Sequence, residues 1–351
     1  MDISKIKEDS VVDADIREIL KKLGKKIFKL QGKNILIAGA SGMLGRYITL
    51  TLIYANKKIF IKPAHLYLVI RNRKEVFGKD KNIHYINADI SNPLPKLQDI
   101  NYIIHAASKA APKIYINNKI DTLNTNILGL YNLLGLVTKK LQSFLYLSSG
   151  EVYGNPPSGE KINEEYVGRV DNLNERSCYT EGKRACETIC MNYFWEKGLP
   201  VKIARIFHTF GPGLNLGDGR IFSDFVKNGL EKQNITIRGD KTIKRPILYL
   251  KDAAIMFFLL LLSGKNGEVY NIASPDIISV GEFADIVCKA FNKYYDKKIS
   301  VEVKKDKESQ YFKYAVKTQR VDISKFKKDF GYIPETTVEE AVAKTVAFYL
   351  K

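Results

Sequence analysis

The chain has 351 residues, 45% of them hydrophobic, enough for one large α/β unit with a smaller lobe or for two domain-sized units. Its formal charge of +18 comes from lysines spread along the whole length, which is the pattern of a solvated surface that favours an anionic substrate and not a nucleic-acid footprint. Four cysteines exclude a disulfide scaffold and their spacing holds no metal site, so a reducing, cytoplasmic setting is expected.

The first residues mix Asp2, Lys5, Glu8 and Asp9 before any apolar run, unlike a secretory signal. Ile16, Ile19, Leu20, Leu23 and Ile27 then recur at helical spacing. They predict an amphipathic helix over 13–30, capped by Asp13 or Asp15, in an N-terminal extension (1–31) that packs on the domain or on a partner subunit. The apolar run 34–40, a glycine-rich turn, a helical segment to about Tyr54 and the run 65–70 form a βαβ unit. Further runs at 83–86, 102–106, 144–148 and 201–206 alternate with helical segments centred near Leu128 and Met191, and another helix is expected near Phe225. This alternation specifies an α/β fold, a Rossmann doubly wound parallel sheet over 32–207. From 208 to 351 the pattern changes to Gly- and Pro-rich loops with isolated strands and helices, read as a smaller substrate-binding lobe interleaved with the sheet. The run 253–262 is too short for a transmembrane segment and predicts a buried helix, while Cys186 and Cys190, four apart, are expected as buried small residues.

The turn after the first strand reads "GASGMLG", from Gly39 through Ser41, Gly42, Met43 and Leu44 to Gly45. Glycines at this spacing let the backbone approach a pyrophosphate at a helix N-terminus, where free N–H groups favour an anion. After the second strand, Arg71, Asn72 and Arg73 stand where a carboxylate would bond the adenosine ribose. These cations lean toward a 2′-phosphate and NADP, or are exposed strand-end charges. Asp89, in "NADIS", could accept from an adenine amino group or serve only its turn. Ser149 ends a predicted strand, and Tyr179 and Lys183, four apart, share one helix face where the ammonium can lower the phenol's pKa. A tyrosine so tuned can take the proton of a sugar hydroxyl while the carbon beneath is oxidised by a nicotinamide.

"GASGMLG", "IIHAAS", "NILGLYNLL", "LSSGEVYG", "CYTEGKRACETIC", "ARIFHTFGPG", "DGRIFSDF", "RPILYLKD" and "VYNIASP" together resemble an extended short-chain dehydrogenase/reductase of the nucleotide-sugar epimerase/dehydratase type, over residues 34 to about 275. The stretch from Cys178 to Phe225 most resembles UDP-glucuronate decarboxylases. The resemblance implies bound NAD or NADP, a nucleoside-diphosphate sugar oxidised at C4, and a homodimer packed through two helices per subunit. It implies cofactor contacts for Ile90, Ala106, Ala107, Ser108 and Asn126 beside the turn residues and Asp89. Tyr179 would be the base, Lys183 its partner, Ser149 the ligand of the C4 oxygen, and Glu151 the acid or base near C5 or C6. Arg245 resembles the arginine that clamps the diphosphate, and Arg220 is a second candidate for substrate contact. Gly150 stands where dehydratases of the dTDP-glucose type carry an acid, which argues against that subclass.

Two departures bear on the substrate. His208 replaces an asparagine in "F-N-T-F-G-P", either as an altered substrate contact or as a hydrogen-bonded loop histidine. Where the decarboxylases read "RKPDI" and use that arginine on the substrate carboxylate, this chain reads "QRVDI", with Gln319 in the slot and Arg320 one residue late. The sequence therefore reads first as a UDP-glucuronate decarboxylase-like enzyme and next as an epimerase, 4,6-dehydratase or 4-keto reductase on the same scaffold. A non-catalytic NAD(P)-sensing protein is the rival of another class.

Overall fold

Short apolar runs, buried on both faces, build the centre of the molecule. A computed structural model describes residues 9–71, 75–304 and 316–351. Its main sheet has seven strands, β1 (Asn34–Ala38), β2 (His65–Ile70), β3 (Ile83–Asn87), β4 (Tyr102–His105), β5 (Ser143–Ser149), β6 (Val201–Ile206) and β7 (Glu268–Ile272). All pairings are parallel, in the order β3-β2-β1-β4-β5-β6-β7. Strand order reverses between β1 and β4, so a crevice opens beyond their C-terminal ends, where doubly wound sheets bind ligands.

Helices flank the sheet: α1 (Ser10–Leu23), α2 (Met43–Lys58), α3 (Lys119–Leu134), α4 (Ser177–Lys197), α5 (Ile221–Leu230), α6 (Leu250–Ser263), α7 (Val280–Phe291) and α8 (Val338–Tyr349). α6 is buried from Leu250 to Leu262, as its apolar run predicts. Cys186 and Cys190 are fully buried in α4.

The N-terminal helix differs from its expected form. Asp9 caps α1 by accepting from the Val11 and Val12 amides, and Gly24, at φ 52°, ends it before a 3-10 turn over Gly24–Leu30. Neither Asp13 nor Asp15 caps it. The Ile27 spacing misled because the 3-10 turn keeps Ile27 and Leu30 buried beyond the helix end. Asp15 lies inward, where its carboxylate accepts from Tyr47, Tyr249 and Lys344 and fastens α1 to α2 and α8.

A second apolar cluster, with Phe210, Phe222, Phe225, Phe283, Phe291 and Val342, forms between α5, α7 and α8. It stands opposite the strand ends. The space left between the two bodies is a cavity of about 1250 Å³.

Candidate active site

The crevice beyond β1 is shaped by glycine. Gly39, at φ +79°, donates to the Val69 carbonyl, and a Cβ there would lie 2.7 Å from the Ala107 amide nitrogen. A Cβ on Gly45 would collide with the Gly39 carbonyl. Gly42 caps α2 without a side chain, leaving the first-turn N–H groups open to an anion. The cradle therefore fits a dinucleotide pyrophosphate. Ser41, Met43, Leu44, Ala106 and Ser108 line the cavity. Asn126 and Ile90 stand behind that wall: Asn126 accepts from Ser108 Oγ at 2.9 Å, and Ile90 packs on Gly129 of α3.

At the β2 end of the crevice Arg71 lies 3.2 Å from the Asp89 carboxylate. Burial raises the Asp89 pKa, but hydrogen bonds from Ser91 and Arg71 outweigh it and the net shift is downward. Lys109, which the sequence reading missed, lines the cavity within the field of both, and burial and Arg71 push its pKa down. Asn72 and Arg73 lie outside the described residues.

The reacting groups gather where β5 ends. Ser149 closes the strand and its Oγ accepts from the Glu151 amide at 3.2 Å, fixing the 3-10 turn Gly150–Tyr153 that carries Glu151. Tyr179 sits in the first turn of α4 with Lys183 one turn on. Burial pushes the Tyr179 phenol up to about 12, opposed by a hydrogen bond with Ser149 and by the charge of Arg220. Lys183 is engaged elsewhere in the dinucleotide-free site. Its Nζ turns to the Leu147 carbonyl at 2.8 Å, over the Tyr146 ring, and burial pulls it down to about 8.

Two further residues complete this wall. Tyr115 stacks on Tyr179 with centroids 5.2 Å apart and planes 9° from parallel. Arg176 places its guanidinium 5.7 Å from the Tyr115 centroid and 3.7 Å from the Glu151 carboxylate. Arg176 was legible: positions 176, 179 and 183 follow the i, i+3, i+7 spacing of one helix face. Tyr115 had no such signal. Beneath the wall Ser148 donates to Glu187 at 2.5 Å and Arg205 grips the same carboxylate at 2.7 Å, tying β5 and β6 to α4.

His208, Arg220, Arg245 and Gln319 also line the cavity. Arg220 pairs with Asp218 at 3.0 Å, and Arg245 donates to the Lys244 and Val316 carbonyls. His208 Nε2 and Gln319 Oε1 are 2.8 Å apart, so the two departures noted in the sequence touch each other. Arg320 does not join them. It is exposed and belongs to a short strand, Arg320–Val321, paired with Lys161–Ile162. Side chains alternate along a strand, so the register that turns Gln319 inward turns Arg320 out.

The profile of the NAD dependent epimerase/dehydratase family matches residues 35–273. The chain belongs to this family. It is thus an NAD(P)-dependent enzyme of the epimerase/dehydratase kind. Its similar proteins include UDP-glucuronic acid decarboxylase 1 of Xenopus tropicalis, 32% identical over 319 residues that span 91% of this chain and 72% of that one. Among solved structures, an epimerase from Methanothermobacter thermautotrophicus superposes with a TM-score of 0.80 at 19% identity, covering 94% of this chain and 96% of that one. A UDP-glucose 4-epimerase from Thermotoga maritima with UDP-glucose gives 0.75 at 21% identity, over 90% of this chain and 98% of that one. At these identities the structures establish the fold alone.

Proposed function

We propose that the protein oxidises C4 of a UDP-sugar held in this cavity and uses Glu151 on the ketone so formed. The observation that carries the reading is the contact of Ser149 with the buried Tyr179 phenol, on a wall continuous with the glycine cradle. A dinucleotide bound in the cradle supplies the oxidation at C4 and its reversal. With burial holding its phenol up at about 12 in the dinucleotide-free site, Tyr179 acts as base only as the phenolate, which the positive charge of an oxidised nicotinamide would favour. The phenolate takes the proton of the C4 hydroxyl, and Ser149 holds the oxygen through its own hydrogen bond. Lys183, enclosed at the foot of β5, offers Nζ to the ribose of that dinucleotide, while Arg245 and Arg220 meet the substrate diphosphate. Residues 32–207 serve mainly the cofactor and 208–351 mainly the substrate.

A 4-ketone makes a C6 carboxylate a β-keto acid. With UDP-glucuronate the C5–C6 bond breaks, its electrons pass into the enolate of the ketone, carbon dioxide leaves, and a proton drawn from solvent is relayed by Glu151 to C5. The names of the curated relatives favour this outcome, and Arg176 beside Glu151 supplies a cation for it. A second reading, epimerisation or dehydration of a neutral hexose, is favoured by the uncharged pair of Gln319 and His208 in the same cavity. Product mass distinguishes them: decarboxylation loses carbon dioxide, dehydration loses water and epimerisation conserves mass. Recovery of UDP-glucuronate, UDP-glucose and UDP-N-acetylglucosamine all unchanged after incubation with dinucleotide would contradict the proposal.

The protein acts as a homodimer through α3 and α4, whose Leu128, Tyr131 and Trp195 are 45%, 48% and 68% exposed. A sedimentation mass of one chain would count against this assembly.

A further inference from the structure

The sheet register places His208 at the sugar end of the cavity. Ser149 pairs with Ile206 across β5 and β6, Gly150 lies against the Phe207 ring, and His208 follows. His208 and Gln319 therefore stand beside the turn that carries Ser149 and Glu151. Burial first, with the charges of Arg245 and Arg220, pushes the imidazole down to about 3, so the ring is neutral at working pH. A neutral imidazole has one N–H, and at 2.8 Å the arrangement that satisfies both partners has Nε2 donating to Gln319 Oε1. That bond orients the amide. It leaves the Gln319 N–H2 as donor and the His208 Nδ1 as acceptor, a complementary pair without charge. The neighbouring guanidinium of Arg220 is paired with Asp218, and Arg320 faces away.

We propose that His208 and Gln319 form one sugar-reading unit, which selects a hexose with an uncharged, hydroxyl-bearing C6 over a hexuronate. The proposal rests on C4 oxidation of a UDP-sugar and names its substrate class. A hydroxyl both donates and accepts, matching the pair, whereas a carboxylate desolvated against it would meet one N–H2 donor and no charge within the pair and would set its lone pairs against Nδ1. The guanidinium groups of Arg220, Arg245 and Arg176 are engaged by Asp218, by the Lys244 and Val316 carbonyls and by Glu151.

Calorimetry on the full chain, with UDP, UDP-glucose and UDP-glucuronate and with reduced dinucleotide present to prevent oxidation, tests it. UDP-glucose should bind on the order of 10-fold more tightly than UDP-glucuronate. The double change His208→Asn, Gln319→Arg should reverse the preference. Gln319→Glu, which keeps size and shape and so guards against misfolding, should widen it. A wild-type ratio near or below one, or a ratio unmoved by these changes, overturns the unit while leaving C4 oxidation standing. If neither sugar binds more tightly than UDP, the C4 reading itself fails and the selectivity proposal falls with it.

Discussion

Lys183 shows what a single residue costs to place. Its folded pKa of about 8 lies below the ordinary 10.5, so the fold disfavours the charged form. The penalty is full below pH 8, where the ammonium is charged in folded and unfolded chains alike, and it fades as pH rises from 8 to 10.5. Lys183→Met should abolish turnover yet stabilise the dinucleotide-free protein by up to about 3 kcal/mol at pH 7, a gain that vanishes near pH 10.5. Denaturant melts at both pH values check this; a loss of stability at pH 7 would contradict it. At the other end of the crevice, Lys109 is paired with Asp121, and Arg71, exposed beside Asp89, is the cation that a 2′-phosphate would meet. NADP should bind at least as well as NAD, and Arg71→Ala should weaken NADP several-fold more than NAD. A strong NAD preference that Arg71→Ala leaves untouched would sink the assignment.

At the scale of elements, α1 is held by one buried carboxylate. Asp15 accepts from Tyr249 at 2.6 Å, Lys344 at 2.8 Å and Tyr47 at 3.1 Å. Asp15→Ala strands those donors, at a cost of about 2–4 kcal/mol by thermal or denaturant unfolding. A loss below about 0.5 kcal/mol would mean that the helix is held by its apolar face alone. The sequence announced α1 but not this contact, because a helix periodicity reports which face is buried and not which polar group a distant helix presents to it. Parallel strands were legible for the complementary reason: buried on both faces, β1, β2 and β4–β6 stand out as apolar runs between turn residues. Ser149, Tyr179 and Lys183 were legible because their spacing is local. The meeting of His208 with Gln319, 111 residues on, depends on packing between segments distant in the chain, and the turning of Lys183 to the Leu147 carbonyl depends on how α4 docks on β5.

Across the whole molecule, the fold brings a glycine cradle, the Ser149–Tyr179 wall and the guanidinium groups of Arg220 and Arg245 to one cavity. The function proposed for this cavity is oxidation of a UDP-sugar at C4 with Tyr179 as the base. Rapid mixing of the enzyme and oxidised dinucleotide with UDP-glucose or UDP-glucuronate, followed through reduced-nicotinamide absorbance, tests it most directly. Transient reduction should appear with at least one of the two sugars, and Tyr179→Phe should slow it by about 100-fold or more while sugar affinity stays the same. No reduction with either sugar, or a Tyr179→Phe variant that reduces the nicotinamide at the native rate, would rule out Tyr179-based oxidation at C4.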